Sequence, residues 1–205
     1  MFISFEGIDF CGKSTQIELL KDYLAKKGKS VEIIREPGGT EISEKIRTLL
    51  LDKKYSKMFW ESEFLLFSAS RAQLVREKIR PYLEEGIYVI SDRFHDSSTA
   101  YQGYGRGIPI EVILNIHKLA IGDTLPDITF FIDIPVEVAH QRSKKKSLEN
   151  LDRIERSEDE FYNKVRAGYK QLAGSESRFR TIDGMEDIRM INKRIINEIE
   201  NFEQR

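Results

Sequence analysis

The chain has 205 residues, 40% of them hydrophobic, and its 33 Lys and Arg against 34 Asp and Glu leave a formal net charge of −1. That is enough apolar material for one packed domain over residues 1–205, and the balanced charge argues against a global field for nucleic acid or an anionic membrane surface. The single cysteine, Cys11, excludes an internal disulfide and a cysteine-based metal site; with no leader ahead of the first strand and no membrane-length apolar run, the expected compartment is the cytoplasm.

In chain order, Met1–Phe5 reads as a short buried strand. Thr15–Lys27 reads as a helix with Ile17, Leu20 and Leu24 on one face. Between them lies Gly7-Ile8-Asp9-Phe10-Cys11-Gly12-Lys13-Ser14, which fits G-x-x-x-x-G-K-[ST] without a mismatch. Strand, glycine loop and helix in that order make a phosphate cradle: glycines let backbone N–H groups converge, and the helix start adds its positive end. Lys13 is expected at the β- and γ-phosphates and the Ser14 hydroxyl on Mg²⁺, with Thr15 beside it.

Val31–Ile34 is a second strand, followed by the loop Arg35-Glu-Pro-Gly-Gly-Thr40 and a helix through Ile42, Ile46 and Leu49. A long helix from Trp60 to Glu85 follows, kinked or reset by Pro81. Ile87–Ser91 is a third strand with Asp92-Arg93-Phe94 at its tip. Gly103, Gly105 and Gly107 read as a flexible loop, and Pro109 starts another helix. Ile128–Ile134, nearly continuous apolar, fits a strand covered on both faces, and a helix follows Pro135. Ser143 to Glu155 holds too little apolar material to pack. Helix, last strand (Phe179–Asp183) and C-terminal helix complete the alternation. Such alternation gives a doubly wound parallel α/β sheet in three layers, with ligands beyond the carboxyl ends of its five strands.

Three arginines gather at that end: Arg35, Arg71 in Leu65-Leu-Phe-Ser-Ala-Ser-Arg71, and Arg93. Taken singly, Phe67 reads as core and Arg71 as a solvated charge. Together with Lys13, the arginines fit a second phosphorylated ligand, since guanidinium matches phosphate bidentately. Asp92 ends a strand where a Mg²⁺-organising carboxylate belongs; Asp133 competes for that place, but Ile-Asp-Ile-Pro favours a helix cap. Asp9, inside the cradle, is expected to point toward a sugar hydroxyl or a metal-bound water. Arg142, Lys144, Lys145, Lys146 and Arg153 are either a solvated helix end or a lid that brings positive charge on closing. Cys11 either packs against the sheet or offers a thiol activated by the helix start and Lys13.

These segments, with Ser98-Thr-Ala-Tyr-Gln-Gly103 and Leu151-Asp-Arg-Ile-Glu155, resemble the bacterial-type thymidylate kinases in content and order over the whole chain. The resemblance implies a P-loop nucleoside monophosphate kinase fold with a short flexible lid at about 143–155. It implies ATP + dTMP → ADP + dTDP, with Mg²⁺, in a homodimer. It further implies that Phe67 stacks on thymine, that Arg71 donates to its exocyclic carbonyl, and that Arg35 and Arg93 clamp the monophosphate. Asp9 would bind the 3′-hydroxyl, Tyr101 would crowd the 2′ position, and Ser98 and Gln102 would line the base pocket. Phe10 stands where some members carry a catalytic arginine; members without it place basic residues in the lid, matching Arg142, Lys144 and Lys146 here, with Arg153 a further candidate. Another nucleoside monophosphate kinase is the alternative enzyme. A GTP-dependent switch is the non-enzyme alternative, but Asn192-Lys193-Arg194-Ile195 lacks the Asp of a guanine-reading motif.

Overall fold

The computed structural model describes residues 1–144, 152–155 and 157–204. Five strands, β1 (Phe2–Glu6), β2 (Val31–Arg35), β3 (Tyr88–Asp92), β4 (Ile128–Asp133) and β5 (Phe179–Asp183), form one parallel sheet in the order β2-β3-β1-β4-β5. The helices are α1 (Lys13–Lys26), α2 (Glu41–Leu51), α3 (Trp60–Leu74), α4 (Arg80–Glu84), α5 (His95–Ser98), α6 (Ile110–Ile121), α7 (Val136–Ser143), α8 (Asp159–Ser175) and α9 (Ile188–Glu203). They cover both sheet faces, as the alternation predicts.

The period-2 alternation of β1 sorts those faces. Ile3 and Phe5 join Ile17, Leu20 and Leu24 of α1 and Ile191, Ile195 and Ile199 of α9 in one core. Phe2 faces the other way, into Leu74, Val75, Ile79, Phe94 and Ile121. Glu6 lies on that second side too, fully buried at the carboxyl end of β1. The central strand therefore delivers one carboxylate beneath the place where its neighbours' tips converge.

The long helix expected from Trp60 runs through a wide turn at Val75–Ile79, where the N–H of Arg80 reaches the carbonyl of Val75. The widened turn precedes Pro81, which has no N–H to donate. Two sequence expectations fail here. Gly103 and Gly105 do not form a flexible loop: Thr99–Gly105 continues α5 as a wide helical turn packed closely against α8. A Cβ on Gly105 would sit 2.6 Å from Phe161 and 2.9 Å from Val165, so this glycine is there to let two elements approach. Nor does Asp133 cap α7; its carboxylate accepts from Arg166 at 2.6 and 3.1 Å, with Lys170 at 3.4 Å. His117 packs inside, its Nε2 3.1 Å from Thr99 Oγ1, whereas His140 is exposed beside Asp159.

Gly168 makes the same contact from the α8 side: a Cβ there would lie 2.6–2.8 Å from Cδ2, Cγ and Cβ of Tyr104. Because Tyr104 Cβ is itself in the way, ring rotation does not relieve the clash. Gly168→Ala is therefore expected to destabilise the protein by about 1–3 kcal/mol. Gly174→Ala, later in the same helix with open space around it, is expected to be neutral or stabilising by up to ~1 kcal/mol. Urea midpoints of the two variants measure the contrast; equal shifts would contradict it.

Candidate active site

A cleft of ≈ 520 Å³ opens at the carboxyl ends of β1, β2 and β3. Its first half is the glycine loop. Gly7 (φ 139°) and Gly12 (φ 102°) adopt conformations that L side chains rarely reach. A Cβ on Gly7 would also strike the carbonyl of Ile132 at 2.6 Å, which fixes the loop close over β4. Lys13 is buried, its Nζ donating to the carbonyls of Gly7 and Ile8 at 3.2 Å each. The Ser14 hydroxyl lies 3.1 Å from Asp92 Oδ2 across the cleft floor, so the two candidate metal ligands share one spot. Both offer hard oxygen, the donor set Mg²⁺ takes alongside phosphate oxygens and water. Phe10, Gly12 and Thr15 line this half; Ile8 and Cys11 are buried beneath it. Cys11 is 2% exposed, which favours the packed alternative over a solvent-reachable thiol.

Arg93 dominates the second half. Its backbone has φ 71°, and its guanidinium donates to five acceptors. Nη1 reaches the carbonyl of Gly7 (2.9 Å), Ser97 Oγ (3.1 Å) and the Tyr169 hydroxyl (3.2 Å); Nη2 reaches Asp9 Oδ1 (2.6 Å) and the Tyr101 hydroxyl (3.0 Å). Asp9 Oδ2 accepts further bonds from Tyr101 (3.0 Å) and Tyr162 (3.1 Å). Burial alone would push the Asp9 carboxyl up, but Arg93 and then Lys13 hold it below its ordinary value. Asp9 thus turns away from the phosphate cradle, as the sequence reading expects, and faces a tyrosine-lined wall.

Deeper in, Arg71 is 1% exposed, not a solvated charge. Its Nε donates to Glu36 at 2.6 Å and its Nη2 to Ser98 Oγ at 3.1 Å, while Nη1 is buried and finds no hydrogen-bond partner among the described residues. Burial pushes the Glu36 carboxyl up to about 7 against the opposing pull of Arg71. Phe67, half-buried, supplies an aromatic wall beside it, and Gln102 closes the far end. Arg35 stands at the mouth, more than half exposed and 3.3 Å from Glu44.

A glycine loop with the geometry of a phosphate cradle therefore opens directly into a pocket with an aromatic side and, among the described residues, one unmatched guanidinium NH₂ group. The family model for thymidylate kinase matches residues 5–195. The chain belongs to the thymidylate kinase family. It is 47% identical over 202 residues to the thymidylate kinase of Thermoanaerobacter sp. (strain X514), covering 98% of each chain. It is 50% identical over 188 residues to that of Thermosipho melanesiensis, covering 92% of each. Among solved structures, the crystal structure of thymidylate kinase from Ehrlichia chaffeensis superposes with a TM-score of 0.80 at 36% identity over 98% of both chains.

The basic residues expected in the lid of this chain separate. Arg142, at the end of α7, lines the cleft and donates to the carbonyls of Phe10 and Cys11 (3.3 Å each) and Gly184 (3.2 Å). Lys144 is exposed and is not among the cleft-lining residues; Lys146 lies outside the described residues. Arg153 is not brought to the cleft. It donates from Nε to the carbonyl of Leu50 at 2.9 Å and pairs through Nη2 with Glu63 at 2.6 Å, the buried carboxylate offsetting the cost of a nearly buried guanidinium. Its neighbour Ile154 is 8% exposed and belongs to the main core, so the described end of this segment, residues 152–155, does pack.

Sequence reasoning passed over Glu6, Glu36, Arg47 and Asp152. Arg47, Glu36 and Asp152 line the cleft, while Glu6 lies under it, accepting from the backbone N–H of Phe94 (2.7 Å), Ser97 Oγ (2.6 Å) and the Tyr169 hydroxyl (2.8 Å). Burial, and then the charge of Asp96, push the Glu6 carboxyl up. The available signal for Glu6 was an acid ending an apolar strand. For Glu36 it was a carboxylate flanked by Arg35 and Pro37; nothing local marks Arg47 or Asp152.

The Arg71–Glu36 pair yields a pH-dependent expectation. Replacing Arg71 by Met leaves Glu36 buried without its cation and should cost about 3–5 kcal/mol at neutral pH. Glu36 already holds its proton more tightly when folded (about 7) than its ordinary 4.5. Its effect is therefore a loss of stability as pH rises through that window, ending near 7 in the wild type. The variant's carboxyl is raised further, so its deficit should keep growing from pH 7 to pH 9. Chemical denaturation of both proteins across that range measures it, and a constant deficit would refute the argument.

Proposed function

We propose that this chain phosphorylates dTMP to dTDP with ATP as the phosphoryl donor, and that residues 1–205 act as one kinase domain. Arg71 carries the reading: a buried guanidinium with a free N–H beside an aromatic wall suits the carbonyl edge of a pyrimidine, in a cleft shared with Lys13. In this reading Gly7 to Thr15 cradle the ATP phosphates, with Lys13 at the β/γ position. Ser14 and Asp92 would hold Mg²⁺, which supplies charge neutralisation on the phosphates when bound.

On the acceptor side, Phe67 stacks on the base and Arg71 donates to its carbonyl, with Ser98 and Gln102 completing the pocket. Asp9 accepts from the 3′-hydroxyl, Tyr101 occupies the space a 2′-hydroxyl would need, and Arg35 and Arg93 hold the monophosphate. Arg142 supplies positive charge from the phosphate-loop side, where its guanidinium already spans Phe10 and Cys11. Lys144 and Lys146 act from the lid, whereas Arg153, tied to Glu63 and the carbonyl of Leu50, does not reach the phosphates. The acceptor phosphate is anionic near neutral pH, so no strong base is needed. Catalysis is alignment and charge neutralisation of an in-line transfer, with water kept out.

Exposed Leu65 on α3 and Val112 and Leu119 on α6, which packs against α3, support a homodimer built on these helices. Its place is the cytoplasm, consistent with a single free cysteine and with no helix among the described residues long and apolar enough to cross a membrane.

Coupled ADP release measured against a panel of nucleoside monophosphates tests the function, with dTMP expected to be preferred. Lys13→Ala should lower turnover about 10²-fold or more with its melting transition intact; turnover near wild type would sink the assignment. Arg71→Lys keeps a cation for Glu36 but loses the free N–H of the guanidinium fork. It should weaken dTMP binding by roughly 1.5–3 kcal/mol and leave ATP binding unchanged. Equal losses for both ligands by calorimetry would remove Arg71 from the base site.

A further inference from the structure

We infer that Glu63 is a positioning residue that decides which edge of the base the cleft accepts. Glu63 sits in the first turn of α3, is 1% exposed, and does not line the cleft. Its Oε1 lies 2.9 Å from Gln102 Nε2 and 3.5 Å from Arg106 Nε; its Oε2 lies 2.6 Å from Arg153 Nη2. A carboxylate placed between two guanidinium groups accepts hydrogen bonds and does not donate them. It can therefore meet only the NH₂ end of the Gln102 amide. A glutamine amide otherwise has two rotamers of nearly equal shape and opposite polarity, and Glu63 leaves it one.

The consequence falls on the cleft. With its NH₂ committed to Glu63, Gln102 turns its carbonyl oxygen toward the space it lines. Arg71 brings the unmatched Nη1 donor to the same pocket. An acceptor and a donor side by side fit a pyrimidine edge carrying an N–H next to a carbonyl, which thymine and uracil share. Cytosine offers an amino group and a bare ring nitrogen there, so both contacts would meet like polarity. Rejecting an edge that leaves buried polar groups unpaired is the strongest discrimination a pocket of this kind achieves. The inference rests on the dTMP reading of the cleft and adds what orients its base-facing amide.

Glu63→Gln tests it. Two facing amides can pair in either sense, so Gln102 loses its fixed polarity while size and packing are kept. The dTMP kcat/KM should fall about tenfold, and the dCMP-to-dTMP ratio of kcat/KM should rise by at least about tenfold. The dUMP-to-dTMP ratio and the KM for ATP should not move, because uracil presents the same edge and ATP binds elsewhere. A purely structural role would lower dTMP and dCMP turnover by one common factor. If the single variant melts too early to assay, Glu63→Gln with Arg153→Met removes the cation left without a partner, and the same ratio is read. A Gln102→Leu background should abolish the effect of Glu63→Gln on the ratio. An unchanged dCMP-to-dTMP ratio in folded Glu63→Gln overturns the inference while wild-type dTMP kinase activity stands; a wild type inactive on dTMP would overturn the functional reading first.

Discussion

One largely shielded cation, the partly buried guanidinium of Arg93, holds the two halves of the cleft together. It bonds the glycine loop at Gly7 and Asp9, the short helix α5 at Ser97, its continuation at Tyr101, and α8 at Tyr169. Taking a charge out of water costs several kcal/mol unless hydrogen bonds replace its hydration, and five acceptors do so here. The backbone of Arg93 adopts φ 71°, a conformation costly for a non-glycine residue, and that bend turns the side chain back over β1 instead of along β3.

Below it, Glu6 plays the complementary part. Ser97 and Tyr169, which accept from Arg93, both donate to Glu6, so a buried anion and a partly buried cation are linked through two hydroxyl groups. Their mutual satisfaction makes the network rigid, since any one member moved would leave another buried and unpaired. Carboxylates recur in this role around the cleft: Glu36 fixes the Arg71 fork, and Asp9 fixes the far nitrogen of Arg93. Each accepts from its arginine and thereby decides which way a planar donor group faces. Carboxylates that line the cleft (Asp9, Glu36) and one that lies under it (Glu6) thus hold the donor groups of this site in place.

The packing of α8 against the continuation of α5 serves the same end. Glycines at 105 and 168 let the two elements approach closely enough for Tyr169 and Tyr162 to reach the Arg93–Asp9 pair. A looser contact would carry the hydroxyl groups out of hydrogen-bond range and leave charges in the interior unmatched. A sequence rule that reads clustered glycines as flexibility misses this, because the reason for the small residue lies sixty positions away in the chain.

Local pattern determined the architecture: strand, glycine loop and helix at the N-terminus, apolar strands alternating with amphipathic helices, and Asp92-Arg93 at a strand tip all follow from period and spacing. The phosphate cradle was legible because one contiguous segment builds it, so residue order and geometry coincide. Tertiary structure alone decided the partners. Asp133 pairs with Arg166 in place of capping a helix, Arg153 goes to Glu63 and not to the cleft, and Cys11 is sealed under its own loop. The two ion pairs share one physical reason. A charge withdrawn from water takes the counterpart that the fold brings within about 3 Å, and residues separated by 33 or 90 positions carry no local mark of that pairing.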